Sequence, residues 1–217
     1  MTIVTTHGDI ASADTLGMKV RRLGVAEYVP TWRAMQAYTA NRHADTADEI
    51  WVLQHPPVYT LGVAGKAQHL PRADNGIPVV RTDRGGQVTY HGPGQVIAYL
   101  LLDMRRRGLS VRPLVRRMEQ AVIDLLAQHG LSAYGREDAP GVYVGAAKIA
   151  ALGLRIRNGC AYHGIALNVD MDLAPFHAID PCGYPGLAVT QMRNFGLSLD
   201  VEQVGANLTQ SLMRALR

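Results

Sequence analysis

The chain has 217 residues, a formal net charge of +4 and a hydrophobic fraction of 47%. A chain of this length can bury a core without disulfide or metal staples, and no apolar run approaches the ~20 residues that would span a bilayer. The mild positive charge is compatible with nucleic acid or with acidic protein partners. Because the basic residues are not interleaved with aromatic ones, which make up only 6% of the chain, nucleic acid is not expected as a partner. Without a spanning apolar run, a membrane is not expected either.

Residues 1–17 contain no basic segment followed by an apolar one, so they are predicted to be a disordered leader and not a secretory signal. A single domain is expected over residues 18–217. The two cysteines, Cys160 and Cys182, are too few for a disulfide scaffold, and neither they nor the eight histidines show zinc-site spacing. We therefore expect a cytoplasmic protein with reduced thiols and no metal.

The order of predicted elements favours an α+β fold. In chain order they are a strand over 18–24, a helix over 29–44, a strand over 48–55, three strands within 77–103, a helix over 111–129, two or three strands within 141–170 and a helix over 200–217. Because the strands come in runs and not in βαβ alternation, we expect a mixed, largely antiparallel sheet flanked by helices.

Turn and capping residues mark several boundaries. Asn158-Gly159 predicts a hairpin, since both residue types tolerate positive φ. Ser110 is predicted to begin the second helix, and Asp200, with Gln203 three positions on, to begin the last. The second helix has an apolar face formed by Leu114, Val115, Met118, Val122, Leu125 and Leu126.

Cys182 lies between Pro181 and Gly183, in a stretch that no helix would hold. Glycine leaves a thiol uncrowded, and reactive groups are often carried by loops on a rigid scaffold. The residues alone leave a nucleophile and a chance loop cysteine equally open. Cys160 instead follows the Asn158-Gly159 turn and is predicted to begin a strand, where a thiol serves packing.

A nucleophilic thiol needs a group that favours its thiolate, because its free pKa is about 8.5. Of the lysines Lys19, Lys66 and Lys148, only Lys148 is surrounded by small and apolar residues on a predicted strand. Partial desolvation there would lower its pKa and suit it to proton transfer. The alternative is a strand lysine whose ammonium extends to solvent.

Two His-Gly pairs, at 91–92 and 163–164, fall on predicted strands. Glycine inside a strand marks a bend or a close approach of backbone to another group. We interpret the two pairs as matching walls of one pocket. The alternative is that both histidines are core residues with satisfied nitrogens.

Four segments together resemble the lipoyl (octanoyl) transferase family: RGGQVTYHGPGQ (84–95), GAAKIAALG (145–153), NGCAYHGIALNV (158–169) and DPCGYPG (180–186). Their occurrence in this order, within a match from about residue 18 to the C-terminus, is far more specific than any one glycine motif. The chain is also similar, more weakly, to the lipoate and biotin protein ligases. The resemblance therefore implies the catalytic-domain fold that these families share.

The resemblance implies roles for the residues that were left open. Cys182 would be the acyl-accepting nucleophile and Lys148 its general acid/base. Backbone N–H groups near Leu152 and Gly153 would stabilise the oxyanion. The implied substrate-binding residues are Arg84, Gly85, Gly86, Gln87, Val88, Thr89, Tyr90, His91, Ala151, Leu152, Gly153, Gly164, Ile165 and Ala166.

The implied reaction moves an octanoyl group from acyl carrier protein, through a thioester on Cys182, to a lysine of a lipoyl domain. The implied acceptors are the lipoyl domains of 2-oxoacid dehydrogenases and the glycine cleavage H protein. Because the donor is already an activated thioester, no ATP, metal or other cofactor is expected. Acidic partners would be steered by Arg105, Arg106 and Arg107, or by Arg112, Arg116 and Arg117, unless these residues only form a solvated surface.

Two other functions are compatible with the sequence. An ATP-dependent lipoate-protein ligase on the same fold would activate a free acid as an adenylate and would use a lysine without a cysteine nucleophile. A non-catalytic fatty-acid or lipoyl-domain binding protein would keep its affinity after Cys182→Ser. An octanoyl adduct on Cys182 distinguishes the transferase from both.

Overall fold

The structure, a computed structural model, describes residues 10–11, 17–71, 74–184 and 186–217, without the side chains of residues 10, 11 and 182. The predicted leader over residues 1–17 therefore lies outside the described residues, apart from the backbone of 10–11 and Gly17. Within the described ranges, no helix is long and apolar enough to cross a membrane.

Strands and helices follow the predicted order. In the described chain the strands are β1 (Ile10–Ala11), β2 (Met18–Val25), β3 (Asp48–Gln54), β4 (Val58–Leu61), β5 (Val79–Arg81), β6 (Val88–His91), β7 (Gln95–Asp103), β8 (Tyr134–Gly135), β9 (Val142–Val144), β10 (Ala147–Arg157) and β11 (Cys160–Asn168). The helices are α1 (Tyr28–Ala40), α2 (Val111–Gln128) and α3 (Val201–Ala215). Short 3-10 helices cover Ala67–His69, Ala174–Ala178, Pro181–Gly183 and Met192–Phe195.

The strands form one large and one small sheet. The large sheet has the order β1-β2-β3-β7-β11-β10-β9-β8, and the small sheet has the order β5-β4-β6. The pairs β2–β3 and β4–β5 are parallel, whereas the other pairs are antiparallel. The predicted mixed, largely antiparallel sheet is confirmed.

Strand β7 lies in the middle of the large sheet and is buried on both faces. Because successive side chains of a strand point to opposite faces, Ala98, Leu100 and Leu102 share one core cluster with α2 and α3, while Ile97, Tyr99 and Leu101 share another with α1. The predicted apolar face of α2 is buried in the first cluster, except for Val115. That residue is only half-buried and borders the cavity described below.

The hairpin predicted at Asn158-Gly159 is confirmed. The φ angles of these residues are 52° and 79°, and β10 and β11 pair antiparallel from Ala150↔Leu167 to Arg157↔Cys160. Left-handed values at both turn residues match the right-handed twist of the strands that they join. This long hairpin forms one wall of the candidate site.

Two capping predictions need correction, and some strands were not predicted. Strands β1, β4 and β8 lie where no element is predicted from the sequence, and β4 directly follows Pro56 and Pro57. Ser110 precedes α2 in an extended conformation, but its side chain makes no capping hydrogen bond. Asp200 does cap α3 by accepting from the N–H of Glu202, whereas Gln203 donates to Asn207 instead of completing a capping box.

Candidate active site

A cavity of about 390 Å³ lies between the β10–β11 hairpin and the loop that joins β5 to β6. Its volume falls within the usual ~300–1,000 Å³ of small-molecule sites. Its lining includes Lys148 and Tyr184, together with Tyr28, Tyr99, His91 and His163. Strand β10 contributes residues from Lys148 to Leu154, a length of roughly 20 Å at ~3.3 Å per residue. Apolar side chains also line the cavity: Ile97, Leu152, Leu154 and Ile165.

The predicted substrate-binding residues line this cavity, with one exception. Tyr90 lies on the opposite face of β6, where its ring centre is 5.5 Å from that of Tyr59 and 5.5 Å from that of Phe176. The alternation of a strand explains the difference, since Thr89 and His91 point into the cavity and the residue between them points away. Burial raises the pKa of Tyr90 to about 12.

Arg84 holds the loop that forms the second wall of the cavity. Its buried guanidinium donates to Thr60 O at 2.6 Å, to Gln87 O at 2.8 Å and to Gly85 O at 2.9 Å. A guanidinium that spans several carbonyl oxygens satisfies main-chain groups that a tight loop leaves without ladder partners. Arg84 therefore lines the cavity, and its guanidinium holds the conformation of the loop through hydrogen bonds.

Glycines allow the two walls to approach closely. The N–H of Gly85 donates to Leu154 O at 2.8 Å, which joins the loop to β10. A Cβ added to Gly153 would lie 3.2 Å from Arg84 Cδ and 3.4 Å from Gly85 O, so a side chain there would press on the loop. A Cβ added to Gly164 would overlap the carbonyl oxygen of Ala98 in the neighbouring strand.

Asp83, directly before this loop, accepts hydrogen bonds from several side chains. The donors are Trp32 Nε1 at 2.8 Å, Gln36 Nε2 at 2.9 Å, Tyr162 OH at 2.5 Å and His163 Nε2 at 3.0 Å. Adjacent strand residues normally point to opposite faces, but His163 has a φ of 65°. This left-handed conformation lets Tyr162 and His163 reach one carboxylate, so Asp83 ties the loop to both α1 and β11.

The charge state of this group follows from its contacts. Burial alone would raise the pKa of Asp83, but the four hydrogen bonds outweigh burial and hold it well below its usual range. Burial lowers the pKa of His163, and the bond to Asp83 offsets only part of that effect. The pair is therefore a carboxylate and a neutral imidazole whose Nε2 carries the proton.

Two further histidines lie close to the cavity. His91 lines it, and His55 contacts Tyr99, which also lines it. Burial lowers the pKa of His91 to about 3 and that of His55 to about 4. His91 Nδ1 is 2.8 Å from Gln95 Oε1 and its Nε2 is 3.3 Å from Thr60 Oγ1, while His55 Nε2 is 2.7 Å from the Tyr99 hydroxyl. His91 thus lines the cavity, as the interpretation of paired His-Gly walls predicts, but both its nitrogens are satisfied.

Lys148 is buried, with 4% of its surface exposed, as its small and apolar neighbours predict. Its Nζ donates to Pro140 O at 3.1 Å and lies 5.2 Å from the centre of the Tyr143 ring. Its main-chain N–H donates to Ala188 O at 2.8 Å, and its carbonyl accepts from the N–H of Thr190 at 2.9 Å. The segment that follows the Cys182 loop is therefore hydrogen-bonded directly to Lys148.

Cys182 lies in the short 3-10 helix Pro181–Gly183, and its side chain is outside the described residues. The residues on either side of it have described surroundings. Pro181 and Lys148 border the same small void beside the main cavity, and Tyr184 and Lys148 both line the main cavity. Contact between the side chains of Cys182 and Lys148 stays a prediction.

Cys160 is the first residue of β11, is buried and has a free thiol. Its Sγ lies 3.9 Å from Asn158 O, and burial raises the pKa of the thiol. A buried thiol with a raised pKa is a weak nucleophile. Cys160 therefore serves packing, as its position after the turn predicts.

The two arginine groups lie in different surroundings. Arg106 and Arg107 bind the buried carboxylate of Asp48 at 2.8 Å and 2.5 Å. Arg117 donates to the carbonyl oxygens of Ala215 and Arg217 at 3.1 Å and 2.7 Å. Arg112 and Arg116 instead follow Val111 and Val115, which line the cavity, and Arg116 pairs with Glu137. Of the predicted steering residues, Arg112 and Arg116 are the ones that directly follow cavity-lining residues along α2.

No cluster of three or more His, Cys, Asp or Glu side chains within the described residues is arranged to hold a metal ion.

Solved structures that superimpose on this chain include protein ligases. Lipoate-protein ligase A bound with ATP superimposes with a TM-score of 0.77 and 19% identity, over 91% of this chain and 84% of that one. A biotin protein ligase from Aquifex aeolicus in complex with biotin and ATP gives a TM-score of 0.56 and 11% identity, over 91% and 69% of the two chains. These likenesses define the fold as that of the lipoate and biotin protein ligase catalytic domains, as the sequence resemblance implies.

Sequence comparison identifies the family. The model of the lipoyl protein ligase A/B catalytic domain matches residues 28–213. The chain is 60% identical over 214 residues to an octanoyltransferase of Azoarcus sp., covering 99% of this chain and 94% of that protein. It is 65% identical over 197 residues to an octanoyltransferase of Thiobacillus denitrificans, covering 91% and 90%. The chain belongs to the lipoyl protein ligase A/B catalytic domain family.

Several residues contribute to the site without having been predicted. Tyr28 and Tyr99 line the cavity, and Asp83 and Tyr162 hold its wall. The one sequence feature that could have indicated a role for Asp83 was its position directly before Arg84-Gly85-Gly86. Since aspartate in a loop is ordinarily a turn residue, that signal carries no information about the four donors that fold around it.

Proposed function

We propose that this chain is an octanoyltransferase that moves an octanoyl group from acyl carrier protein, through a thioester on Cys182, to a lysine of a lipoyl domain. The observation that carries the proposal is a largely apolar cavity lined by buried Lys148 and by Tyr184, with Pro181 and Lys148 bordering a small void beside it. The relatives named octanoyltransferase, 60% and 65% identical over nearly the whole chain, support the choice of acyl group. An alkyl chain is the ligand that such a lining favours.

The first half-reaction transfers the acyl group to the enzyme. The thiolate of Cys182 attacks the carbonyl carbon of the octanoyl thioester, and the bond to the phosphopantetheine sulfur breaks. The ammonium of Lys148 gives its proton to the departing sulfur. The products are a free carrier-protein thiol, an octanoyl thioester on Cys182 and a neutral Lys148.

The second half-reaction transfers the acyl group to the acceptor. The amine of the lipoyl-domain lysine attacks the octanoyl thioester, an amide bond forms, and Cys182 leaves as a thiolate. Neutral Lys148 accepts the proton that the amine loses. The thiolate and the ammonium are thereby restored, so the cycle consumes neither ATP nor an external acid or base.

Lys148 is the proposed proton carrier because the histidines of the cavity are otherwise engaged. Both nitrogens of His91 have partners, and Nε2 of His163 donates to Asp83. Lys148 is buried, and a desolvated lysine amine can exchange a proton with sulfur or nitrogen.

Two protein substrates must reach Cys182 in turn. The exposed residues Val111 and Tyr184 border the cavity, and Arg112 and Arg116 lie beside Val111 on α2. These arginines are proposed to attract the acidic carrier protein and lipoyl domains. The reaction is proposed to take place in the cytoplasm, where both cysteines stay reduced.

Mass spectrometry after incubation with octanoyl-acyl carrier protein, without ATP, tests the proposal. We expect one octanoyl group on the peptide that contains Cys182 in the wild type and in Cys160→Ala, and none in Cys182→Ala. A lipoyl domain added afterwards should gain the octanoyl group on lysine. An adduct on Cys160, or transfer that requires ATP and free octanoate, would contradict the proposal.

A further inference from the structure

The loop that carries Cys182 is held at its start by a buried histidine. His69 Nδ1 lies 2.9 Å from a carboxylate oxygen of Asp180, and the main-chain N–H of Asp180 donates to His69 O at 3.2 Å. The His69 side chain is only 8% exposed. Both the main chain and the side chain of Asp180 bond to His69. The position of Asp180 relative to His69 is therefore fixed, two residues before Cys182.

The segment that carries His69 is itself attached to the wall of the cavity. The N–H groups of Gly62, Val63 and Ala64 donate to carbonyl oxygens of residues 84–87, and the N–H of Lys66 donates to Gln87 Oε1 at 3.2 Å. The stem of Gln87 also lies against the Cys182 loop, since a Cβ added to Gly183 would be 3.0 Å from Gln87 Cγ. Residues 62–69 thus contact both the cavity wall and the loop.

The loop has little support of its own. Its 3-10 helix has three residues, closed by a bond from Gly183 N–H to Asp180 O at 2.8 Å and one from Tyr184 N–H to Pro181 O at 3.2 Å. So short a 3-10 helix is not stable in isolation, because each hydrogen bond fixes several main-chain angles. Its position must come from contacts with neighbouring segments, and the His69–Asp180 pair supplies them at its start.

We propose that His69, acting through Asp180, is a positioning residue that holds residue 182 at a fixed place relative to the cavity wall. The inference rests on the proposed role of Cys182 as the acyl acceptor. His69 itself does not touch the acyl group in this scheme: it borders a separate surface cavity with Asn75 and His177. Its effect is on where the nucleophile stands when the thioester arrives.

Matched variants separate the hydrogen bond from the bulk of the side chain. Asparagine places its Nδ2 donor near the position of a histidine Nδ1, so His69→Asn keeps the bond, whereas His69→Leu removes it. His177→Leu changes an exposed histidine of the same surface cavity and is the control. Asp180→Asn, which keeps an acceptor, and Asp180→Ala, which does not, repeat the comparison from the other partner.

Hydrogen exchange of the full chain measures directly how firmly the His69–Asp180 pair, here called the clamp, holds the Cys182 loop. In His69→Leu and Asp180→Ala we expect the amides of residues 180–184 to exchange roughly tenfold faster, because the local opening becomes easier. His69→Asn, Asp180→Asn and His177→Leu should match the wild type, and the amides of α2 should be unchanged in every variant. Unchanged exchange of residues 180–184 in both disruptive variants would overturn the clamp.

Single-turnover acylation of Cys182 by octanoyl-acyl carrier protein measures the consequence. In His69→Leu we expect the maximal rate to fall by about 10- to 100-fold, as displacements near 1 Å produce, with the half-saturating concentration unchanged and the rate restored in His69→Asn. Faster exchange with an unchanged rate would overturn the positioning role. A wild type that is never acylated on Cys182 would refute the proposed function, and with it the positioning role, while hydrogen exchange would still decide the clamp.

Discussion

The two walls of the cavity are built in different ways. The hairpin wall, residues 148–154 and 163–166, is mostly held by the main-chain ladders that join β10, β11 and β7. The loop wall, residues 83–89 and 180–184, also has main-chain bonds to residues 62–64 and to Leu154, but it depends further on side chains: the Asp83 carboxylate, the Arg84 guanidinium and the His69–Asp180 pair. Loss of one of these side chains removes one or more hydrogen bonds, whereas a main-chain ladder depends on no single side chain. We therefore expect the loop wall to be more sensitive to side-chain substitution than the hairpin wall.

The largest effect on the transfer rate is expected from a substitution in the hairpin wall that removes proton transfer but leaves the fold intact. Lys148→Arg keeps the positive charge but removes the ability to release a proton, since guanidinium stays protonated. We expect octanoyl-acyl carrier protein to bind and the transfer rate to fall by about 10²- to 10⁴-fold, the usual contribution of general acid/base catalysis. Rapid-quench measurement of octanoyl-Cys182 checks this, with Lys66→Arg as the control. Near-normal turnover of Lys148→Arg would show that a group other than Lys148 carries the proton.

The next effect concerns the carboxylate that anchors the loop wall. Asp83→Ala leaves the donors on Trp32, Gln36, Tyr162 and His163 without their acceptor. We expect the free energy of unfolding to fall by about 2–3 kcal/mol, as for a partly buried carboxylate whose four donors lose their acceptor. Urea denaturation measures the change. A loss below ~1 kcal/mol would mean that the ladders also hold the loop wall.

The same carboxylate predicts a pH dependence. The pKa of Asp83 is lower in the folded chain than the ~3.9 of an unfolded one, so its contribution is fully present above about pH 5. It is lost as the pH falls from there toward the folded pKa, because the unfolded chain takes up the proton first. The stability difference between wild type and Asp83→Ala should therefore shrink between about pH 5 and pH 2. A difference that stays constant over this range would contradict the assignment.

The contrast between the walls also explains what the sequence could predict. Asn158-Gly159 indicated the hairpin, and the residues within 77–103 indicated strands, because both depend on local sequence patterns and turn chemistry. The left-handed conformation of His163 and the convergence of α1 and β11 on Asp83 depend on residues about 50 and 80 positions apart. Local patterns carry no such information. The same periodicity would have placed Tyr90 correctly, had its alternation with Thr89 and His91 been applied.

A smaller effect is expected where the walls touch. Gly153→Val puts a side chain against Arg84 Cδ and Gly85 O, in space that the acyl chain and the loop share. We expect the transfer rate to fall about tenfold while stability changes by less than ~1.5 kcal/mol, because the flexible arginine stem can shift. Gly164→Ala is the matched contrast: its Cβ meets the rigid carbonyl of Ala98 inside the sheet, so it should impair folding first. Full activity of Gly153→Val would show that the walls do not confine the acyl chain at this point.

The smallest effect is expected at the far end of the hairpin, at Cys160. Its thiol is buried beside the turn, and burial raises its pKa, so it lies outside the chemistry and within the part of the chain that ladders hold. Cys160→Ala removes one sulfur atom while β11 keeps its pairing with β7 and β10. We expect a loss of about 1 kcal/mol in the free energy of unfolding, comparable to deletion of one buried methyl group, and an unchanged transfer rate. A folded Cys160→Ala enzyme without activity, beside an active Cys182→Ala, would reverse the assignment of the two cysteines.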